Sequence, residues 1–325
     1  MNSFGKFLRI MIFGESHGPV IGVTIDGVPP GIAFSPEHMQ ADLDRRRGGK
    51  PGTTHRSEPD KPRIISGIYQ EKTTGAPLTI IIENTDQDSS HYKNISNHPR
   101  PSHSDFAARI KYNNCNDPRG GGHLSGRLTA PLVCAGSLAK LVIAPITVTA
   151  CILDEAIVRQ KALTGAAQGD SVGAMLEVVI KGVQPGLGEP WFDSLESLLA
   201  HAVFSIPGIK GIEFGAGFLA ASMHGSEYND RILDATGKTA TNHDGGITGG
   251  ISNGNDIVFR VAVKPTPSIG VPQETYSFDH NEPRLLSIEG RHDACFALRL
   301  PPVLEAVSAL VLADLIIAQN AHQHV

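Results

Sequence analysis

The stretch VTIDGVPPGI at residues 23–32 is answered by VIKGVQPGL at residues 179–187. Both open with apolar residues that read as a strand. Both end it in GVxPG, where glycine and proline supply the backbone conformations of a turn, and both lead on toward a helix. A second pair keeps the same order. AGSLAKLVI at 135–143 matches ALVLADLII at 309–317, each an apolar helix with one charged side chain, Lys140 or Asp314, at the sixth place. Two echoes in one order predict an internal duplication, with the two helices at equivalent places about a pseudo-twofold axis.

The remaining elements fit around these repeats. Phe7–Phe13 and Val20–Ile25 read as a hairpin with Gly14-Glu15-Ser16-His17-Gly18 at its bend. Ser35 caps a helix that Pro36 opens and that runs to Arg45-Arg46-Arg47, where Gly48-Gly49 stops it. Arg63–Tyr69 and Leu78–Glu83 read as paired strands, and a helix to Val142 is followed by the strand-like ITVTACIL. Val172–Val183, Gly211–Leu219 and Ile257–Val263 read as strands, and Phe192–Val203 and Pro302–Gln319 as helices. Asn242–Gly254 is glycine-rich and reads as mobile.

The chain has 325 residues, 40% of them hydrophobic, enough for a substantial core. Aromatics make up 6% and the net charge is −5, which argues against a stacking surface for nucleic acid. Local basic clusters on a mildly acidic chain suit a small anion better than a polyanion. Cys115, Cys134, Cys151 and Cys295 have no metal-ligand spacing, so no metal site is expected and the thiols read as reduced and cytoplasmic. No signal peptide and no run of roughly 20 apolar residues is evident, so no membrane span is expected.

The chemistry concentrates in RPSHSDFAARIKYNNCNDPRGGGHLSGR at residues 100–127. Gly120, Gly121 and Gly122 let backbone N–H groups face a ligand, and Arg100, Arg119 and Arg127 beside them suit an anion such as phosphate. The helix that follows would add its positive N-terminal field. Taken alone, the glycine run reads equally well as a surface loop. Likewise His17 between glycines is either a functional side chain or one that bonds its own turn, and Arg45 to Arg47 either bind an anion or decorate a helix C-terminus.

GESHG, RGGGHLSGR and Arg291-His292-Asp293-Ala294-Cys295, in that order, resemble the three signatures of the chorismate synthase family. DGVPPG, DLDRRR, EPDKPRIISG, TIIIENTDQ, RPSHSDF, GGITGGISNG, VAVKPTPSI and EAVSALVLAD extend the resemblance over essentially the whole chain. It implies one α/β domain over residues 1–325, a sandwich of long helices between antiparallel sheets, assembled as a homotetramer. The implied reaction is the 1,4-anti elimination of phosphate from 5-enolpyruvylshikimate 3-phosphate to give chorismate, the last step of the shikimate pathway. The implied cofactor is reduced FMN, with NADPH, where used, only reducing the flavin.

By the same resemblance His17 and His103 are general acids, and Ser16 and Asp314 form a proton relay. Asp314 also lies among Leu310, Val311, Leu315 and Ile316, where burial would raise its pKa. Arg45, Arg46, Arg47, Arg100, Arg119 and Arg127 answer the anionic substrate, and Arg46 matches a family arginine tied to substrate and, in some members, nicotinamide. FMN contacts fall on His123, Leu124 and Ser125, on Pro207 and Gly208, and on Gly249. Further contacts fall on Lys264, Pro265, Thr266, Pro267 and Ser268, and on Arg291. The chain departs from the family pattern at His123-Leu124, where Arg-Ser is usual, at Gly126, at Pro207-Gly208 and at Pro267. These departures predict weaker, more pH-sensitive FMN binding. A homologue that binds flavin or anions without catalysis, and a flavin oxidoreductase of other specificity, are the alternative readings.

Overall fold

The computed structural model describes residues 2–54, 56, 58–86, 97–288 and 292–323. In chain order the first half holds β1 (Ser3–Phe4), β2 (Arg9–Gly14), β3 (Val20–Asp26), α1 (Pro36–Arg46), β4 (Pro62–Ser66), β5 (Ile68–Tyr69), β6 (Lys72–Thr73), β7 (Leu78–Glu83), α2 (Asp105–Lys111) and α3 (Thr129–Val142). The second half holds β8 (Thr147–Ile152), α4 (Glu155–Ala167), β9 (Ala174–Lys181), α5 (Leu195–Phe204), β10 (Ile209–Phe214), α6 (Gly225–Tyr228), β11 (Ile247–Thr248), β12 (Ile251–Ser252), β13 (Ile257–Val263), β14 (Gln273–Ser277), β15 (Glu282–Leu286) and α7 (Pro301–Gln323).

The duplication is visible in the topology. One sheet has the order β1-β2-β3-β7-β4 and the other β8-β9-β13-β10, written from the matching edge, and all pairings in both are antiparallel. Setting β1 aside, β2, β3, α1, β4, β7 and α3 correspond in sequence and in sheet position to β8, β9, α5, β10, β13 and α7. The strands follow their side-chain period. In β7 Leu78, Ile80 and Ile82 are buried, and in β13 Ile257, Phe259, Val261 and Val263 are buried, so each sheet turns one apolar face inward.

Between the sheets lie α3, against β3 and β7, and α7, against β8 and β9, packed on each other. Both helices are buried around their circumference, over Thr129–Ala139 and over residues 302–313, as a central layer requires. Small residues permit the contact: a Cβ placed on Gly136 would lie 2.2 Å from the Ala306 Cβ and 2.3 Å from its Cα. Residues 301–321 are long and apolar enough to cross a membrane, contrary to the expectation from sequence. Most of that stretch is buried inside the protein, so its apolarity serves the core.

Other expectations need correction too. Asn242–Gly254, read as a loop from sequence, carries the β11–β12 hairpin, with Gly246 and Gly250 seated against the Asp256 and Glu189 backbones. The short α2, the mostly exposed α4 and the β14–β15 hairpin were not foreseen. Ser35 does cap α1, in extended conformation, and the His38 ring accepts its N–H at 3.2 Å.

Because Gly136 has no room for a side chain, Gly136→Ala is expected to lower stability by about 1–3 kcal/mol, the range for overpacking a filled core. Urea denaturation measures this; an unchanged midpoint would contradict the helix contact.

Candidate active site

The three consecutive arginines at the end of α1 point about 100° apart, as residues on a helix must, and therefore cannot share one role. Arg45 turns away from the cavity described below. Its guanidinium grips Glu305 with two bonds of 2.7 Å and reaches Asp42 at 2.8 Å. Arg47 pairs with Asp44 at 3.1 Å while still bordering the cavity. Arg46 points inward, only 2% exposed, and bonds Asp60 and Thr129 Oγ1, each at 3.0 Å. Asp60 is completely buried and also pairs with Arg127, whose Nε donates to Asn84 at 2.9 Å. Burial pushes the Arg46 pKa down to about 10, against the pull of Asp60, which still leaves it charged at neutral pH. Burial alone would raise the Asp60 carboxyl, but the two guanidiniums outweigh it and hold it below its usual range.

Above this floor the GESHG bend meets the glycine loop. The Ser16 N–H donates to Gly122 O at 3.0 Å, and Arg56 donates to both Ser16 Oγ and Ser16 O at 3.0 and 3.1 Å. Gly120, Gly121 and Gly122 all have positive φ. A Cβ on Gly120 would stand 2.7 Å from both His17 Nε2 and Ser16 Oγ, so only glycine lets the loop approach His17.

His103 sits opposite. Its Nδ1 lies 2.6 Å from Asp105 Oδ1 and 3.1 Å from Arg100 Nη2. Arg100 donates to Asp105 through Nε and Nη2, both at 2.7 Å, and to Ser268 Oγ at 3.0 Å. The shorter contact to a carboxylate assigns Nδ1 as the protonated nitrogen, donating to Asp105, and leaves Nε2 toward the glycine loop. There a Cβ on Gly121 would lie 3.9 Å from Nε2. Burial lowers the His103 pKa; the Asp105 hydrogen bond opposes this, and Arg100 adds to it. Despite burial, bonds from Arg100 and His103 hold the Asp105 carboxyl far below the usual carboxylate range.

These groups border a cavity of about 900 Å³. Ser16, Arg46, Arg47, Arg100, His103 and Arg127 line it. So do His123, Leu124 and Ser125, Pro207 and Gly208, and the run from Lys264 to Ser268. Buried atoms at its wall lack a hydrogen-bond partner among the described residues: Arg46 Nε, Arg127 Nη2 and Thr266 Oγ1. A cavity of this size, walled by cations and glycines, suits an anionic ligand.

Not every expected residue arrives there. Arg119 is tied to Asp117 at 2.7 Å and Arg45 to Glu305, and neither lines the cavity. His17 lies behind the glycine loop rather than in the lining. Gly249 forms the β11–β12 turn outside the cavity. Arg291 lies outside the described residues.

Asp314 is half-buried rather than buried, because α7 emerges from the core at that residue. Its carboxylate accepts the N–H groups of Lys6, Phe7 and Leu8 at 2.6–3.1 Å, which ties down the amino-terminal segment. Lys140, its counterpart in the repeat, instead bridges Asp42 and Glu305. Ser16 and Asp314 are thus in separate environments. His123 is occupied at both ring nitrogens, Nδ1 with Gly14 O at 2.8 Å and Nε2 with Asn2 Oδ1 at 3.1 Å, so it braces the loop rather than offering a free donor.

Sequence reasoning passed over Asp60, Asp105 and Lys210, of which Asp60 and Lys210 are in the lining. Asp105 and Lys210 were within reach, since they stand two residues after His103 and after Gly208. Asp60 stands in the family-like stretch EPDKPRIISG, but its residue type and spacing gave it no role.

The sequence model of the family described as Chorismate synthase matches residues 8–162 and 154–317. A chorismate synthase of Chitinophaga pinensis is 53% identical over 334 residues, covering 100% of this chain and 99% of its own. One of Archaeoglobus fulgidus is 43% identical over 357 residues, covering 98% of each. A crystal structure of chorismate synthase superposes with a TM-score of 0.72 at 26% identity, covering 97% of this chain and 93% of that one.

Asp105→Asn removes the negative charge that supports protonation of His103 while burial and Arg100 remain. The His103 pKa is expected to fall further, as read by NMR titration of the imidazole; a rise would contradict the assigned hydrogen bond. Asp105 has a depressed folded pKa, so its stabilisation is full above the unfolded value of about 3.9 and is lost as pH falls below it. Asp60→Ala leaves two buried guanidiniums without their shared partner and is expected to cost about 3–5 kcal/mol in chemical denaturation.

Proposed function

The chain belongs to the chorismate synthase family, and we propose that it eliminates phosphate from 5-enolpyruvylshikimate 3-phosphate with reduced FMN bound in the cavity. The single observation that carries this reading is the convergence of His103, Ser16 and the buried Arg46–Asp60–Arg127 group on one cavity flanked by the glycine loop. The ring hydrogen lost in this reaction is not acidic, and reduced FMN, when bound, supplies the electron density that phosphate departure calls for. Residues 124–125, 207–208 and 264–268 would hold it, with His123 bracing the loop that carries Leu124 and Ser125.

The protein's own part is charge and proton management. Arg46, Arg100 and Arg127 are fixed by carboxylates before any ligand enters, so they neutralise substrate anions without reorganising. His103, its Nδ1 proton fixed on Asp105, works through Nε2. Burial lowers its pKa and so favours the neutral imidazole in the unliganded protein. An entering phosphate dianion favours the imidazolium, so substrate binding itself charges the acid that protonates the leaving group. His17 and Ser16, behind and beside the glycine loop, form the second proton-handling pair; a direct relay to Asp314 has no support in its contacts. Residues 1–325 act as one domain, supported by the core shared between both repeats. Assembly as a homotetramer, and cytoplasmic residence, which the four free cysteines suit, complete the reading.

An anaerobic assay with reduced FMN and the enolpyruvyl substrate is the test. Chorismate forms without net consumption of reductant; net consumption would indicate a flavin oxidoreductase, and no product at saturating reduced FMN would indicate a non-catalytic homologue. His17→Ala and His103→Ala are each expected to lower turnover by roughly 10²–10⁴ with the fold retained. Near-normal turnover in both would remove the histidines from the mechanism.

A further inference from the structure

Away from the cavity, the tip of the β14–β15 hairpin brings together His98, Asp279 and His280. One ligating atom from each lies within 4.8 Å of the others. We propose that these three side chains form a binding site for a borderline divalent cation, Zn²⁺ being the best match. Two imidazoles and one carboxylate are the donor set that such ions prefer, and a water completes the tetrahedron.

The scaffold is already in place. Phe278 N–H donates to Asn97 O at 3.0 Å and Thr275 Oγ1 to Pro99 O at 2.5 Å, which fastens the hairpin to the segment bearing His98. Phe278 stacks on Phe106 with ring centroids 5.9 Å apart and lies under the Arg109 guanidinium, so the residue just before Asp279 is anchored. The His98 and His280 rings lie 6.4 Å apart, centroid to centroid.

His280 Nδ1 is bonded to Ser277 Oγ at 3.1 Å, and Ser277 is completely buried. That bond fixes the ring and presents Nε2 outward, the usual arrangement of a metal-ligating histidine, whose other nitrogen is held by a protein group. Tetrahedral Zn²⁺ with nitrogen ligands needs donor separations of about 3.3 Å. A rotation of the exposed Asp279 side chain, with the His280 ring pivoting about its Nδ1 bond to Ser277, supplies the difference.

The location gives such an ion a consequence. His98 stands two residues before Arg100, which holds His103, Asp105 and Ser268. A cation here would staple the segment carrying the His103 dyad to the hairpin that follows Ser268. Neither the reaction nor the flavin requires the site, so the inference stands apart from the proposed function.

The test is calorimetric titration of the full chain, free of purification tags and stripped of metal, with Zn²⁺ at pH 7.5. One ion per chain is expected. His98→Ala and His280→Ala should each weaken binding at least about tenfold. His224→Ala, at an exposed histidine elsewhere, should leave it unchanged. Thermal melts without metal show that the variants are folded; His280, on an exposed hairpin tip, keeps the test valid if His98→Ala is not. Absence of binding, or binding that survives His280→Ala, overturns the site.

Discussion

The constraint on which the active region depends is a charge imbalance in the interior. Asp60, fully buried, is shared by Arg46 from the end of α1 and Arg127 from the turn before α3. Glu58 and Arg56 extend the group, giving three cations to two anions. A buried pair survives only when its desolvation is offset by good geometry, and a surplus guanidinium must find a counter-charge. Here the surplus borders an open cavity, and Arg46 Nε and Arg127 Nη2 have no hydrogen-bond partner within the described residues. The same ion group that joins α1, the segment before β4 and the start of α3 therefore lends the cavity wall an excess of positive charge. Structure and recognition are one network, and a substitution in it acts on both.

The frame of the fold was legible because the repeats obey simple periods. Short apolar runs marked β3, β7, β9 and β13, and the longer apolar runs at 135–143 and 309–317 marked buried helices. Where burial is slight the sequence carried no such mark. In α4 only Ala162 and Gly165 are buried, and β15 is exposed along nearly its whole length. The glycine-rich 242–254 stretch misled for another reason. Its glycines meet close backbone approaches and positive φ, and these serve order as readily as motion.

The candidate site was legible by residue type more than by role. His103, close to Pro101, and Arg127, beside Gly126, announce themselves by residue type. What each does depends on partners distant in sequence, such as Ser268 for Arg100 and Asn2 for His123. Arg45, Arg46 and Arg47 show the limit most clearly. They are identical in type and adjacent in sequence, yet one joins α7, one enters the interior and one borders solvent. Only helical geometry together with Glu305 and Asp60, far along the chain or without local signal, separates them.

The central layer bears on how the chain is made. The sheet built from β2, β3, β7 and β4 is complete by residue 83, but α7, which fills the layer beside α3, begins only at residue 301. Asp314, which holds the amides of Lys6, Phe7 and Leu8, follows them by more than three hundred residues. During synthesis at roughly 5–20 residues per second, the face of α3 that packs on α7 therefore waits on the order of ten seconds or more for its cover. A ribosome-bound chain at that stage presents the surface that chaperones recognise, and shortening the chain before α7 would leave α3 and the second sheet without their shared cover.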